Sequence, residues 1–298
     1  MNEYERYNEY MEDESDEQFS VFSVSHLLSK LSHYNRIILE NEISETLLFR
    51  GQSDVDFGVD GSIFRNGLLA KEKALINELI LQEPLEFGRG MTDFEQLVKM
   101  QHYGLPTRLL DITTNPLVAL YFACSEHKDR DGELILFMES LRRPTQREVR
   151  LLSALAEYDG KSEGEFLDYF TKKGLNDDTQ SGFDQRLKRL KVQFLNKYIP
   201  VVAPRNNERI RRQNGAFLIL GIDVSAPDYY FKNKFDLKDT LSEYVGEDIP
   251  RYLRIPAEQK DSILHELDMI GINEAFVYPE LEHQAAYIKK RHCEKAGE

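Results

Sequence analysis

The chain has 298 residues, of which 41% are hydrophobic and 30% charged, with a formal net charge of −14. That length can bury a sizeable core in one large domain or two small ones, and that composition describes a globular chain rather than a disordered one. The acidic balance argues against nucleic-acid binding spread over the whole surface, no run approaches the roughly 18 apolar residues of a membrane helix, and Cys124 and Cys293 are too few for a disulfide framework.

Residues 1–18 carry Glu3, Glu5, Glu9, Glu12, Asp13 and Glu14 among several tyrosines. The stretch has no apolar core, so it reads as a flexible or partner-docked arm and not as a signal peptide. A reducing, cytoplasmic setting is expected, with Cys124 a small buried hydrophobe.

Val21 to Glu40 has helical periodicity with Leu27, Leu28, Leu31 and Ile38 inward. Thr46 to Gln52 is β-prone, and Gly58-Val59-Asp60-Gly61 reads as a turn. Lys71 to Leu81 and Phe94 to Met100 are expected helices. His102-Tyr103-Gly104 is a turn, Leu109 and Leu110 open a strand, and Pro116 suits a first helical turn, where its missing N–H does no harm. Leu117, Leu120 and Tyr121 would form one apolar face of that helix.

Glu133 to Met138 is an apolar strand. Residues 145–198 read as a helical insertion with a polar break at Gly174 to Phe183. Pro200 to Ala203, Gly215 to Ile222 and Arg251 to Ile255 are extended. A helix runs from Pro256 to Met269 and ends at Gly271. Glu274 to Val277 is read as a last strand, and His283 to Arg291 as a terminal helix. Strands and helices mix without regular βαβ alternation. The expectation is therefore an α+β domain over residues 19–298, with a mixed, mainly antiparallel sheet and flanking helices.

The sequence lacks a Walker loop, a GxGxxG fingerprint, zinc-ligand spacing and a serine nucleophile elbow. What remains is polar residues at strand ends. Arg50 enters an apolar strand, which is costly unless a carboxylate or phosphate meets its fork. It either contacts a ligand or pairs with Asp111. Gly51 beside it leaves space for a ligand to approach the backbone. Asp111 either caps the following helix or acts directly. His102 is an acid/base candidate or a turn-stabilising group. Arg108 binds an anion or pairs with Asp111. Tyr103 and Tyr121 read as packing groups. Two basic clusters, Arg186, Lys188, Arg189, Lys191 and Lys197, and Arg205, Arg209, Arg211 and Arg212, read as solvated faces.

Phe49-Arg50-Gly51 together with the block Gln101 to Ala123 resembles the FRG-domain family, which is named for that tripeptide, over roughly Thr46 to Ile219. The order of the pieces also resembles, more remotely, the arginine-serine-glutamate class of the ADP-ribosyltransferase fold. There an aromatic-Arg-Gly strand end holds the phosphates of NAD. A Ser-Thr-Ser strand precedes a helix, and a Gln- or Glu-x-Glu turn enters an apolar strand. Asp111-Ile112-Thr113 and Gln213-Asn214-Gly215 stand at the matching places. The resemblance implies a nucleotide or NAD-like ligand. Arg50, Gly51 and Gln52 would be at its phosphates, Asp111 and Thr113 on the floor and Gln213 at the ribose or base, with His102 a candidate acid/base. NAD would be a substrate rather than a resident cofactor, and no metal is implied. Gly215 departs from the pattern, standing where that class has its catalytic glutamate. Glu208, Glu280 or Glu282 would have to supply the acid. The implied activity is transfer or hydrolysis at an N-glycosidic bond, as in a toxin or phage-defence effector. The rival is a non-catalytic interaction or sensor module with a protein partner.

Overall fold

The computed structural model describes residues 19–295 except 89, 161, 177–180, 193–197, 205–206, 222–240, 243 and 247–248. The expected N-terminal arm, Lys197, Arg205 and Ile222 therefore lie outside the described residues.

Six strands form the main sheet: β1 (Thr46–Gln52), β2 (Leu109–Thr113), β3 (Gly132–Glu139), β4 (Tyr198–Val202), β5 (Gly215–Leu220) and β6 (Tyr252–Ile255). Their spatial order is β4-β5-β2-β1-β3-β6. Every pairing in this sheet is antiparallel, and among the described residues parallel character is confined to isolated bridges such as Arg142↔Val201. The expected mixed sheet is in this respect corrected. A small hairpin pairs Tyr244–Gly246 with Ile249–Pro250.

The sheet consists of two three-stranded halves. β1 pairs with β3 from Thr46↔Glu139 to Gln52↔Glu133, and β2 with β5 from Leu109↔Ile219 to Thr113↔Gly215. Between the halves only Phe49↔Thr113 pairs. This near-break sets the position of the site.

Alternation along the strands sorts the core. Leu48, Leu110, Ile112, Ile135, Phe137 and Leu218 share one face with Val59 and Ile63. On the other face, Leu109, Phe217 and Ile219 lie in one cluster with Phe94, Leu97, Val149 and Leu152. Beside it, Phe49, Leu134 and Leu136 pack with Ala119, Leu120 and Ile263. The seam between β1 and β2 divides these two clusters.

The helices are α1 (Val24–Glu40), α2 (Glu72–Gln82), α3 (Asp93–His102), α4 (Pro116–Ser125), α5 (Arg147–Ala154), α6 (Glu163–Lys172), α7 (Phe183–Val192), α8 (Glu208–Arg212), α9 (Lys260–Met269), α10 (Glu274–Val277) and α11 (Leu281–Lys295). α5 and α6 supply Val149, Leu152, Phe166 and Phe170 to the main core, so the expected insertion is part of the fold's interior. α3 starts on a capping box between Thr92 and Glu95. Leu28 is exposed rather than inward. Glu274–Val277 is a helical turn capped by Asn273, not a strand.

α4 begins at Pro116, and the Asn115 side chain accepts from the Leu117 and Val118 N–H groups. Asn115, not Asp111, is thus the cap. The helix is buried on most sides, at Val118, Ala119, Leu120, Tyr121, Ala123 and Cys124, so the expected single apolar face is corrected. It lies this close to the sheet because of two glycines. A Cβ on Gly51 would stand 1.7 Å from the Ala119 carbonyl oxygen, and one on Gly132 would stand 2.2 Å from that of Ala123. The far end of α4 is held by Lys260, whose buried ammonium donates to the carbonyls of Ser53 (2.7 Å), Glu126 (3.2 Å) and His127 (2.9 Å). Among the described residues no helix is long and apolar enough to cross a membrane.

Candidate functional site

In a continuous ladder, Gly51 would come opposite Asp111, two places beyond Phe49↔Thr113. Pairing stops before that point. The Arg50 guanidinium occupies the gap, and its Nη1 donates to the backbone oxygen of Asp111 at 2.8 Å. Its Nε is buried with no hydrogen-bond partner, an unusual state for a charged donor. Burial pulls this guanidinium below its ordinary value, and the Asp111 charge opposes that shift.

A cavity of about 210 Å³ opens at the seam, lined by Arg50, Asp111, Thr113, Phe122, Arg209 and Gln213 among others. Asp111 sits at its mouth, reachable by water yet surrounded by protein. That surrounding raises its carboxyl above the ordinary value of 3.8, against the pull of Arg50 and Arg209. Its Oδ2 accepts from Gln101 Nε2 at 2.9 Å.

The other expected residues divide. Thr113 is at the cavity, but its hydroxyl donates to the Gln213 carbonyl (2.6 Å) and accepts from the Asn115 N–H (2.9 Å). It stitches β2 to the turn before β5. Gln213 lines the cavity, and its side-chain amide donates to the Val277 carbonyl at 3.0 Å. Gly51 lines it too, although the space left by its missing side chain is filled by α4, which corrects the expectation of room for a ligand.

Gln52 is not at the cavity. It is buried, and its amide donates to the Phe57 carbonyl (3.0 Å) and to Glu133 (3.1 Å). His102 is displaced as well. It lines a separate open groove of about 760 Å³ with Lys99, Tyr103, Asn207 and Ile210. The Asn207 amide nitrogen approaches its ring at 3.2 Å. One residue along a helix turns about 100°, so Gln101 and not His102 faces Asp111. Tyr103 is exposed rather than packed.

Arg108 pairs with Glu72, not Asp111. Its Nε donates to Glu72 Oε1 at 2.9 Å, Nη2 meets the second carboxylate oxygen, and Nη1 reaches the Leu220 carbonyl at 3.2 Å. Of the acids expected to replace the missing glutamate, Glu208 is held by Arg211 and Arg212.

Sequence reasoning missed Arg209 and Gln101 as site residues. In the sequence Arg209 stands among basic neighbours, but α8 turns it into the cavity wall. Its guanidinium lies 4.7 Å from the centre of the Tyr278 ring. Tyr278 in turn meets Phe122 edge-on at 6.2 Å and stacks on His283 at 4.7 Å. Among the described residues, no cluster of His, Cys, Asp and Glu could hold a metal ion.

The fold and site define an α+β protein with a cationic cavity at the seam of a split antiparallel sheet. Residues 45–132 match the model of the FRG domain. The matched span ends well before the expected Ile219. It contains Arg50, Gln101, Asp111, Thr113 and Phe122, whereas Arg209 and Gln213 come from beyond it. Searches of curated proteins and of solved structures gave no match.

Proposed function

We propose that the seam cavity binds the phosphate-bearing part of a nucleotide such as NAD and that the protein acts on its N-glycosidic bond. The observation that carries this is the Arg50 guanidinium, held at the cavity with a buried donor unpartnered, beside a carboxylate. A planar fork with a free N–H suits a phosphate oxygen. The cavity is smaller than the roughly 300–1,000 Å³ of sites that enclose a drug-sized ligand. It therefore takes the phosphate-bearing part of the ligand alone, with the rest over the open surface.

The resemblance to the ADP-ribosyltransferase fold points the same way, with Asp111 rather than a glutamate at residue 215 as the available acid. In that reaction the bond between nicotinamide and ribose breaks, the base leaves with the electron pair, and water or an acceptor nucleophile takes its place. Asp111 would stabilise the cationic ribose or receive the nucleophile's proton. An effector of this kind would act by depleting NAD or by modifying a target.

The non-catalytic reading draws on Thr113, whose hydroxyl is already committed to backbone bonds. Incubating NAD with wild type, Arg50→Lys and Asp111→Asn, with nicotinamide followed by mass spectrometry, separates the two. Release by wild type that falls about 100-fold or more in both variants supports turnover. Nucleotide binding without release from wild type supports the module. Equal release from wild type and Arg50→Lys removes Arg50 from the site.

A further inference from the structure

We infer that Arg209 is a second anion-binding arm and that, with Arg50, it makes the cavity select a diphosphate over a monophosphate. This rests on the nucleotide reading above and narrows it to a ligand class.

Three observations carry it. Arg50 on β1 and Arg209 on α8 line the same cavity, so two guanidinium groups from different elements address one space. Asp111 is the single carboxylate among the described lining residues, against two guanidinium groups. Among the described residues the Arg209 guanidinium makes no hydrogen bond or ion pair, and its contact is the face of Tyr278. Its neighbours Arg211 and Arg212 are both spent on Glu208.

Stacking on a ring orients a guanidinium while leaving its in-plane N–H donors free. Arg50 likewise keeps Nε unpaired. Two separate forks, each suited to one phosphate, match two linked phosphates better than one. Phe122 fixes the arrangement by packing on Tyr278 from the other wall of the cavity.

The test is calorimetric titration of the full chain with ADP, AMP and inorganic pyrophosphate, using wild type, Arg209→Gln, Arg209→Lys and Arg50→Gln. Thermal melts check that each variant is folded. Wild type should bind ADP about tenfold or more tighter than AMP, and Arg209→Gln should erase most of that preference. Arg209→Lys should retain only part of it, because the charge remains and the fork is lost. Pyrophosphate binding that also weakens in Arg209→Gln supports a clamp for the diphosphate itself. Equal binding of ADP by wild type and Arg209→Gln, or of ADP and AMP by wild type, overturns the inference while leaving the nucleotide reading intact. ADP binding that survives Arg50→Gln overturns the nucleotide reading. A wild type that binds none of the three overturns both.

Discussion

Arg50 donates to the backbone oxygen of Asp111 at 2.8 Å, while the Asp111 carboxylate is held by Gln101 at 2.9 Å. The arginine is thus a strut across the seam as well as a ligand donor. Lysine keeps the charge but cannot span the gap with a planar fork. Arg50→Lys should lower stability by about 1–3 kcal/mol, the usual worth of a charged hydrogen bond. Urea unfolding of the two proteins checks this, and unchanged stability would mean that the strut carries no load.

The glycine of the same tripeptide has a different task. A methyl group on Gly51 would collide with the Ala119 carbonyl and approach the Ala123 nitrogen, both of them helix backbone. Backbone cannot rotate away as a side chain can, so α4 must shift. Gly51→Ala should cost about 3 kcal/mol or more, at or above the usual range for overpacking. A loss under about 1 kcal/mol in denaturant titration would show that α4 slides freely on the sheet.

Much of this was legible in the sequence because the signals were local. The seven-residue strand Thr46–Gln52 and the start of α4 at Pro116 fall where composition and turn chemistry place them. Pro116 at the first helical position also implies a cap at Asn115, a cue stronger than the acid four residues earlier. Gln101 and His102 are neighbours in a helix, and only the register of α3 against β2 decides which one faces the site. Arg209 reaches the cavity through a chain reversal at Asn214, which has a left-handed φ of 45°, and through the bond from Thr113 to Gln213 across a hundred residues. No local pattern encodes that. The four residues Glu274–Val277 fit a strand or a turn of helix equally well, and the preceding Asn273 cap settles it.

Arg108 and Glu72 form a buried pair, with relative side-chain exposures of 2% and 5%. Removing one partner leaves a buried charge unmatched, at a cost of about 3–5 kcal/mol. Arg108→Met and Glu72→Gln should each be strongly destabilised, whereas the double variant Arg108→Met/Glu72→Met should recover most of the loss. A double variant no more stable than the sum of the single effects would mean that the pair is not coupled.

Two aspartates should respond to pH with opposite signs. Burial pushes the Asp54 carboxyl up, but the Asp56 N–H and Arg130 outweigh it, leaving Asp54 below 3.8 when folded. Its stabilising contribution is complete above the unfolded value and is lost as pH falls through the folded one. Asp111 is raised above 3.8 by burial, so the folded state holds its proton longer and stability declines as pH rises through that window. Relative to wild type, Asp54→Asn should therefore look worse at pH ~7 than at pH ~3, and Asp111→Asn should look better. Melting temperatures at the two pH values decide this; shifts of the same sign in both variants contradict the assignment.

Gly215 offers the most direct test of what the site lacks. It pairs with Thr113, which lines the cavity, and shares a sheet face with Asp111. A Cβ there would meet its nearest neighbours, both from Ile210, at 3.5 Å, an ordinary contact, and its backbone does not need glycine. A glutamate can therefore be placed without disturbing the strand, at a cost of about 1 kcal/mol or less. In the resembled transferase class this is the position of the acid that stabilises the cationic ribose. If the cavity handles a ribose, Gly215→Glu should raise nicotinamide release from NAD above the wild-type rate, and adding Arg50→Lys should abolish the gain. A folded Gly215→Glu protein with no gain would show that a ribose does not reach this edge of the sheet, and the balance would move to the binding module.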